Sequence, residues 1–366
     1  MNKLHILYIL TDISTNGGVV RIVFDKINEL IKRYDISVLY LGNCRKAFYE
    51  INKDVKFYNL PLKNKGIIKY FYLILNYKKL VSKINPDLII NANSILVTWI
   101  IPFLGKQKKI LELHQSYEGV KIYDYENYGK YSIKRAFHVS LRRIIYPKYD
   151  KIVVLTNQDK EKWGGKNICV IPNFTKLKSE TKYNPDTKNI IWVGRLTSQK
   201  GADILIAICD NFLKRNKDWS ITIIGDEPGG EIKYNLLNYI SNESRNNRIK
   251  YIKSTKEISL YYSHSSIYIS TSRYEGLPLA MIEATSFGIP CIGFTITGNT
   301  DIIQNNKNGY LIRNYDIEAF SDALFQLSED RSKRLEFSQN ALIASTKYSK
   351  ENILKQWISL IETLKQ

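Results

Sequence analysis

A chain of 366 residues exceeds what one hydrophobic core usually serves, and 44% hydrophobic residues is ordinary globular usage, so a disordered chain is excluded and two domains are expected. The formal charge of +19 is unevenly placed: residues 1–171 carry 29 Lys and Arg against 14 Asp and Glu, whereas residues 172–366 carry 25 against 21. No apolar run approaches the ~20 residues that cross a bilayer, and Cys44, Cys169, Cys209 and Cys291 form no C-x-x-C pair, which argues against a redox motif or a zinc site.

The first ten residues lack a cationic lead-in and a small-residue cleavage site, so they read as a strand rather than a signal peptide. Short β-branched runs follow at 36–41, 88–91, 109–114 and 151–156, alternating with helical patterns. Such alternation predicts parallel strands buried by helices on both faces. A second series begins with strands at 190–193, 221–225, 249–252, 267–270 and 291–294, interleaved with helices at 202–213 and 277–287. Two doubly wound units in tandem fit this order, with a boundary in the polar segment 172–187, which holds Pro172 and Pro185. The spacing of Ile353, Trp357, Leu360, Ile361 and Leu364 predicts a last helix over 351–364, and the segment 348–366 is expected to pack back on the first domain.

Ligands of open α/β sheets bind outside the carboxyl ends of the strands, so a cleft between two facing sheets is the expected site. The candidate residues fall at such ends. Arg195 and Lys200 follow the strand 190–193 and precede a helix, where two cations beside backbone N–H groups suit a diphosphate. Glu275 and Glu283 flank Gly276, Leu277 and Pro278; Pro278 suits a first helical turn, leaving the donors of Gly276 and Leu277 to face an anion. Eight helical residues would part the two carboxylates by roughly 12 Å, about the separation of the two hydroxyl-bearing ends of a nucleotide sugar. Two solvated glutamates are the plainer alternative, and Met281 with Ile282 beside Glu283 counts against it. Gly17 and Gly18 let the chain approach a ligand after the first strand, although any tight turn would use them. His114 closes the predicted strand 109–114, where it reaches a sugar hydroxyl or phosphate or serves structure alone. No Asp-x-Asp, P-loop or full dinucleotide fingerprint occurs, so no metal or cofactor is expected.

Through these residues the sequence resembles the retaining glycosyltransferases of family 4. The resemblance rests on Gly17-Gly18 with Arg21, His114, Ile171-Pro172-Asn173, Gly194-Arg195, Lys200-Gly201, the stretch from Glu275 to Glu283, Gly288-Ile289-Pro290 and Asn308-Gly309-Tyr310. It implies a GT-B fold, two Rossmann-like domains facing each other across a cleft, with 1–171 on the acceptor side and 172–347 binding the nucleotide sugar without a metal. By motif position it implies that Arg195 and Lys200 hold the diphosphate, Glu283 the ribose and Glu275 the transferred sugar, with Gly18 and His114 near the reaction centre. Gln115 stands where members of the family usually have Asp. The segment 297–303, Thr-Gly-Asn-Thr-Asp-Ile-Ile, is similar to that of members extending lipid-linked oligosaccharides for bacterial surface polysaccharides.

Transfer of a hexose or N-acetylhexosamine from a UDP-linked donor to a sugar or polyprenyl-diphosphate-linked acceptor is therefore expected, in the cytoplasm and against the inner membrane face. Basic aromatic stretches at 63–83 and 121–148 suit an anionic membrane surface or, in the first case, a core-facing helix. Transfer to a small soluble acceptor, sugar-nucleotide epimerisation and nucleic-acid binding are the competing readings; the last leaves Glu275 and Glu283 without a role and matches no nucleic-acid module.

Overall fold

The computed structural model describes residues 3–15, 17–42, 46–61, 68–92, 95–130, 132–179, 182–226, 230–243 and 247–365. Cys44, Lys63 and Lys65 lie outside them; Cys169, Cys209 and Cys291 are free thiols. The chain divides into two compact units, one of residues 1–173 with 351–366 and the other of residues 174–350.

The first unit contains β1 (His5–Leu10), α1 (Gly18–Leu30), β2 (Asp35–Tyr40), β3 (Lys56–Asn59), α2 (Ile68–Ile84), β4 (Leu88–Ala92), α3 (Ile95–Thr98), β5 (Lys108–Glu112), α4 (Tyr117–Tyr128), α5 (Ile133–Ile145), β6 (Lys151–Val154), α6 (Asn157–Trp163) and β7 (Ile168–Val170). Its strands run parallel in the order β3-β2-β1-β4-β5-β6-β7. Ile6 stands level with Ile36 on one side and Leu88 on the other, so β1 is central. Buried on both faces, β1 and β4 are nearly continuous runs of aliphatic side chains, as parallel strands under two helical layers must be. Leu7, Ile9, Leu39, Leu73, Ile89 and Leu111 pack into one of its cores.

The second unit contains β8 (Asn189–Val193), α7 (Ala202–Arg215), β9 (Ser220–Ile224), α8 (Glu231–Glu243), β10 (Ile249–Ile252), α9 (Ile258–Ser263), β11 (Ile267–Ser270), α10 (Leu279–Ser286), β12 (Cys291–Phe294), α11 (Asn299–Ile302), β13 (Gly309–Ile312), α12 (Ile317–Glu329) and α13 (Arg331–Ser345). The parallel order is β10-β9-β8-β11-β12-β13, around a core holding Trp192, Leu205, Phe212, Ile269 and Phe320. The doubly wound parallel architecture expected from the sequence is present in both units. The final helix, α14 (Lys350–Lys365), lays Ile353, Trp357 and Ile361 inward. Among the described residues, no helix is long and apolar enough to cross a membrane.

Three strands escaped the sequence reading. β3 is half-exposed, β7 has three residues and β13 begins at the glycine of an Asn-Gly pair, and all three stand at sheet edges. Two predicted strands end two residues early: β5 at Glu112, so His114 lies beyond it, and β6 at Val154. In each sheet the strand order reverses direction beside the first strand, between β1 and β4 and between β8 and β11. That switch point is where a doubly wound sheet opens a crevice at its carboxyl edge.

Candidate active site

The second unit brings Lys200 and Glu275 together. They stand on the loops that follow β8 and β11, the pair of strands flanking the switch point. Lys200 Nζ donates to Glu275 Oε1 at 2.5 Å, and Ser272 Oγ donates to the same oxygen at 2.7 Å. The lysine side chain keeps 22% of its surface and the glutamate 9%, so the pair is reachable from solvent yet partly desolvated. Such a charge pair is stronger than one at an open surface.

The two loops are stitched by contacts that the sequence did not reveal. Arg273 N donates to Gln199 O at 2.8 Å, and its guanidinium reaches Ser198 O at 2.6 Å and both Asp203 oxygens at 2.7 and 2.6 Å. These hydrogen bonds hold the Asp203 carboxyl below its ordinary range, against partial burial. Beneath them, Trp192 Nε1 donates to Thr271 Oγ1 at 3.0 Å. Arg195, by contrast, is exposed, with Nη2 3.4 Å from Gln199 Oε1.

The stretch from Glu275 to Glu283 is not one helix. Pro278 holds an extended backbone (φ −69°, ψ 109°) and caps α10, which starts at Leu279. Proline has no N–H to give, but its carbonyl accepts from Met281 N and Ile282 N, both at 3.1 Å. Glu275, Gly276 and Leu277 are therefore loop residues, all buried, and the helical rise assumed between the two glutamates applies only from Leu279 onward. Glu283 is buried on α10, where it accepts from the Tyr262 hydroxyl at 3.1 Å. The segment 297–303 comes up against the same loop. Gly298 adopts φ +90°, and a Cβ there would stand 2.7 Å from the Gly276 carbonyl oxygen.

The first unit carries Gly17, Gly18 and His114. Gly17 caps α1 with an extended backbone, its carbonyl accepting from Arg21 N at 3.2 Å, while a Cβ on Gly18 would meet nothing within 4 Å among the described residues. Open space, rather than a special backbone angle, is what Gly18 provides. His114 is buried with Nε2 3.3 Å from Glu112 Oε1, and neither ring nitrogen makes a hydrogen bond among the described residues.

Behind the histidine lies a charged pair the sequence reading missed. Lys26 Nζ donates to Glu112 Oε1 at 2.5 Å with both side chains buried, and the ammonium sits 3.7 Å from the centroid of the Trp357 ring. Burial pushes the Glu112 carboxyl up, but Lys26 and His114 outweigh it and bring it down to about 2. Burial also pulls the Lys26 ammonium down, and Glu112 offsets part of that.

Residues 16–178 match the family described as Glycosyltransferase Family 4, and residues 173–343 match Glycosyl transferases group 1. The chain belongs to these glycosyltransferases, and its fold is GT-B. It is similar to the amylovoran biosynthesis glycosyltransferase AmsD of Erwinia amylovora, at 29% identity over 97% of this chain and 99% of that one. It is also similar, at 23% identity over 96% of each chain, to the Campylobacter jejuni α-1,4-N-acetyl-D-galactosaminyltransferase whose name gives an oligosaccharide-PP-undecaprenol as its acceptor. The crystal structure of Anabaena HepE in complex with UDP superposes with a TM-score of 0.75 at 16% identity, covering 98% of this chain and 100% of that one.

Proposed function

We propose that this chain is a retaining, metal-independent transferase that moves a hexose or N-acetylhexosamine from a UDP-linked sugar to a lipid-linked sugar acceptor in bacterial surface-polysaccharide synthesis. The observation that carries this reading is the Lys200, Glu275 and Ser272 cluster at the switch point of the second sheet, with Glu283 buried on the following helix. The acceptors and pathway in the names of the Campylobacter and Erwinia relatives, and the UDP bound to HepE, support the choice of acceptor, pathway and donor.

In this reading Lys200 and Arg195 meet the diphosphate. A leaving diphosphate gains negative charge as the bond to the sugar breaks, and fixed cations in a partly dry site lower that barrier most. Lys200 exchanges Glu275 for a phosphate oxygen, which frees Glu275 to accept hydrogen bonds from sugar hydroxyls while Ser272 keeps its carboxylate in place. Glu283 accepts from the ribose hydroxyls, Gly276 and Leu277 line the donor, and Gly17 and Gly18 leave room for it. His114 lies near the sugar.

The acceptor oxygen attacks the anomeric carbon on the face from which the diphosphate departs. The carbon–oxygen bond to phosphate breaks, the new glycosidic bond forms on that face, and the departing phosphate oxygen takes the acceptor proton. Configuration is kept without a protein nucleophile. The protein works against an anionic membrane surface, where the excess charge of residues 1–171 and exposed Phe71 and Phe137 supply attraction and anchoring. A panel of UDP-, GDP- and ADP-sugars read by hydrolysis tests the donor. Lys200→Ala and Arg195→Ala should each lower kcat/KM by about 100-fold or more, and an unchanged kcat/KM would remove both from the site.

A further inference from the structure

The first unit holds a cavity of about 700 Å³ walled by α4, α5, α6 and the residues leading into β6 and β7. None of the residues assigned to the donor, nor His114, lines it. Its charge is one-sided: Lys121, Arg135, Arg142, Arg143, Lys162 and Lys166 face a single carboxylate, Asp124. That carboxylate is already engaged, since Arg142 grips both of its oxygens, one of them at 2.8 Å. Glu118, beside the cavity, pairs with Lys162 at 3.2 Å and more loosely with Lys121 at 3.8 Å. Arg143 and Lys166 meet no carboxylate among the described residues.

Two donors make the imbalance sharper. Arg135 Nε and Trp163 Nε1 are buried atoms with no hydrogen-bond acceptor among the described residues, although Arg135 Nη1 reaches Lys130 O at 2.7 Å. Buried donors are nearly always satisfied, so these two call for an acceptor from outside the chain. A small inorganic anion would serve the charge but not the rest of the wall, which is Val120, Val139, Ile152, Ile168 and the rings of Tyr146 and Trp163. The outward side of α5 continues the apolar character, with Ile133, Phe137 and Ile144 at 88%, 61% and 62% exposure.

We propose that this cavity binds an amphipathic anion, a phosphate or diphosphate ester of an apolar chain, held by Arg135, Arg143, Lys166 and the Trp163 indole. The charged end accepts from the unmet donors and the apolar chain leaves over α5. A smaller cavity of about 120 Å³ shares Val120, Arg142 and Tyr146 with the first and extends to Glu112 and His114. On the acceptor reading proposed above, a sugar joined to the bound diphosphate extends through that second cavity toward His114.

Farnesyl diphosphate, titrated into the full chain below its micelle concentration, is the probe. Saturable quenching of tryptophan fluorescence is expected, most of it lost in Trp163→Phe, with at least tenfold weaker binding by the double variant Arg143→Gln/Lys166→Gln. Both of those side chains are exposed, so the double variant should keep its melting temperature and its nucleotide-sugar hydrolysis. Inorganic pyrophosphate should bind at least tenfold more weakly than the farnesyl ester. Phosphatidylglycerol vesicles separate two sources of this chemistry: displacement of the probe assigns the cavity to membrane phospholipid, and no displacement assigns it to a lipid diphosphate, both within the proposal. Equal binding of pyrophosphate, or unchanged affinity in the double variant, overturns it. Since binding needs no donor, a chain inactive with every nucleotide sugar would sink the transferase mechanism and leave this test standing.

Discussion

Gly201 meets Thr271 with no space for a side chain: its backbone is left-handed at φ +65°, and a Cβ there would fall 2.0 Å from the Thr271 carbonyl oxygen. The neighbours of these two residues in sequence are Lys200 and Ser272, so this backbone contact fixes the loops that bring Lys200 to Glu275.

Gly201→Ala should therefore cost about 1–3 kcal/mol from the left-handed backbone alone, read as a lower denaturant midpoint, and should abolish donor turnover. Gly18→Ala is the contrasting case. It opens α1 in empty space, so stability should hold or rise by up to ~1 kcal/mol, while KM for the donor should increase. An unchanged KM removes Gly18 from the donor site.

Arg273→Ala separates activity from stability. Its partner Asp203 is 42% exposed, and ion pairs of that kind contribute roughly 0–1 kcal/mol. The melting temperature should barely move, yet kcat should fall about tenfold or more as the loop carrying Glu275 loosens from Ser198 and Gln199. Wild-type kcat would show that the loops hold their geometry without Arg273.

Tyr262→Phe removes the hydroxyl that donates to Glu283. A buried carboxylate losing a donor costs about 1–3 kcal/mol. The variant should melt earlier and bind UDP more weakly by isothermal titration, whereas Glu283→Gln should weaken UDP with a smaller loss of stability. Equal UDP affinity in both variants and wild type would place the ribose elsewhere.

The Lys26 and Glu112 pair predicts an acid limb. Glu112 titrates at about 2 in the folded chain, below its ordinary 4.5, so its contribution is complete above about pH 4.5 and is lost as pH falls toward 2. Urea midpoints measured across that window should fall in the wild type and fall less in Glu112→Gln. At neutral pH Lys26→Met, which leaves the buried glutamate charge without its ammonium partner, should cost about 3–5 kcal/mol, more than the double change Lys26→Met/Glu112→Gln. A loss in the double change equal to the sum of the two single losses would mean that the two groups act independently.

The central strands were legible because both faces are buried: runs such as Ile6 to Leu10 and Ile267 to Ile269 hold only aliphatic residues and one tyrosine each. The edges were not. β3 mixes Lys56 and Asn59 with two aromatics because none of its four residues is buried, Lys56 and Phe57 on opposite faces both meeting water. Lys200 and Glu275 were each visible at a strand end, but their pairing spans 75 residues and follows from the switch point rather than from local pattern. Lys26 was hidden for the opposite reason. A lysine within an amphipathic helix reads as solvent-facing, and the carboxylate that holds it inside comes 86 residues later. Pro278 gave a partial signal: it marked the start of α10 within one residue, yet it ended the loop containing Glu275 instead of joining it to the helix.

The Trp357 ring over Lys26 ties the first unit to the order of translation. The helix that supplies it is made only after the whole of the second unit, and at ~5–20 residues per second that interval is roughly 10–35 s. Until then the ammonium of Lys26 lacks the Trp357 ring, and the first unit lacks the helix that completes it. Chains interrupted before α14 would lack the Trp357 ring and keep only Tyr8, 5.5 Å from the ammonium, as an aromatic neighbour of Lys26.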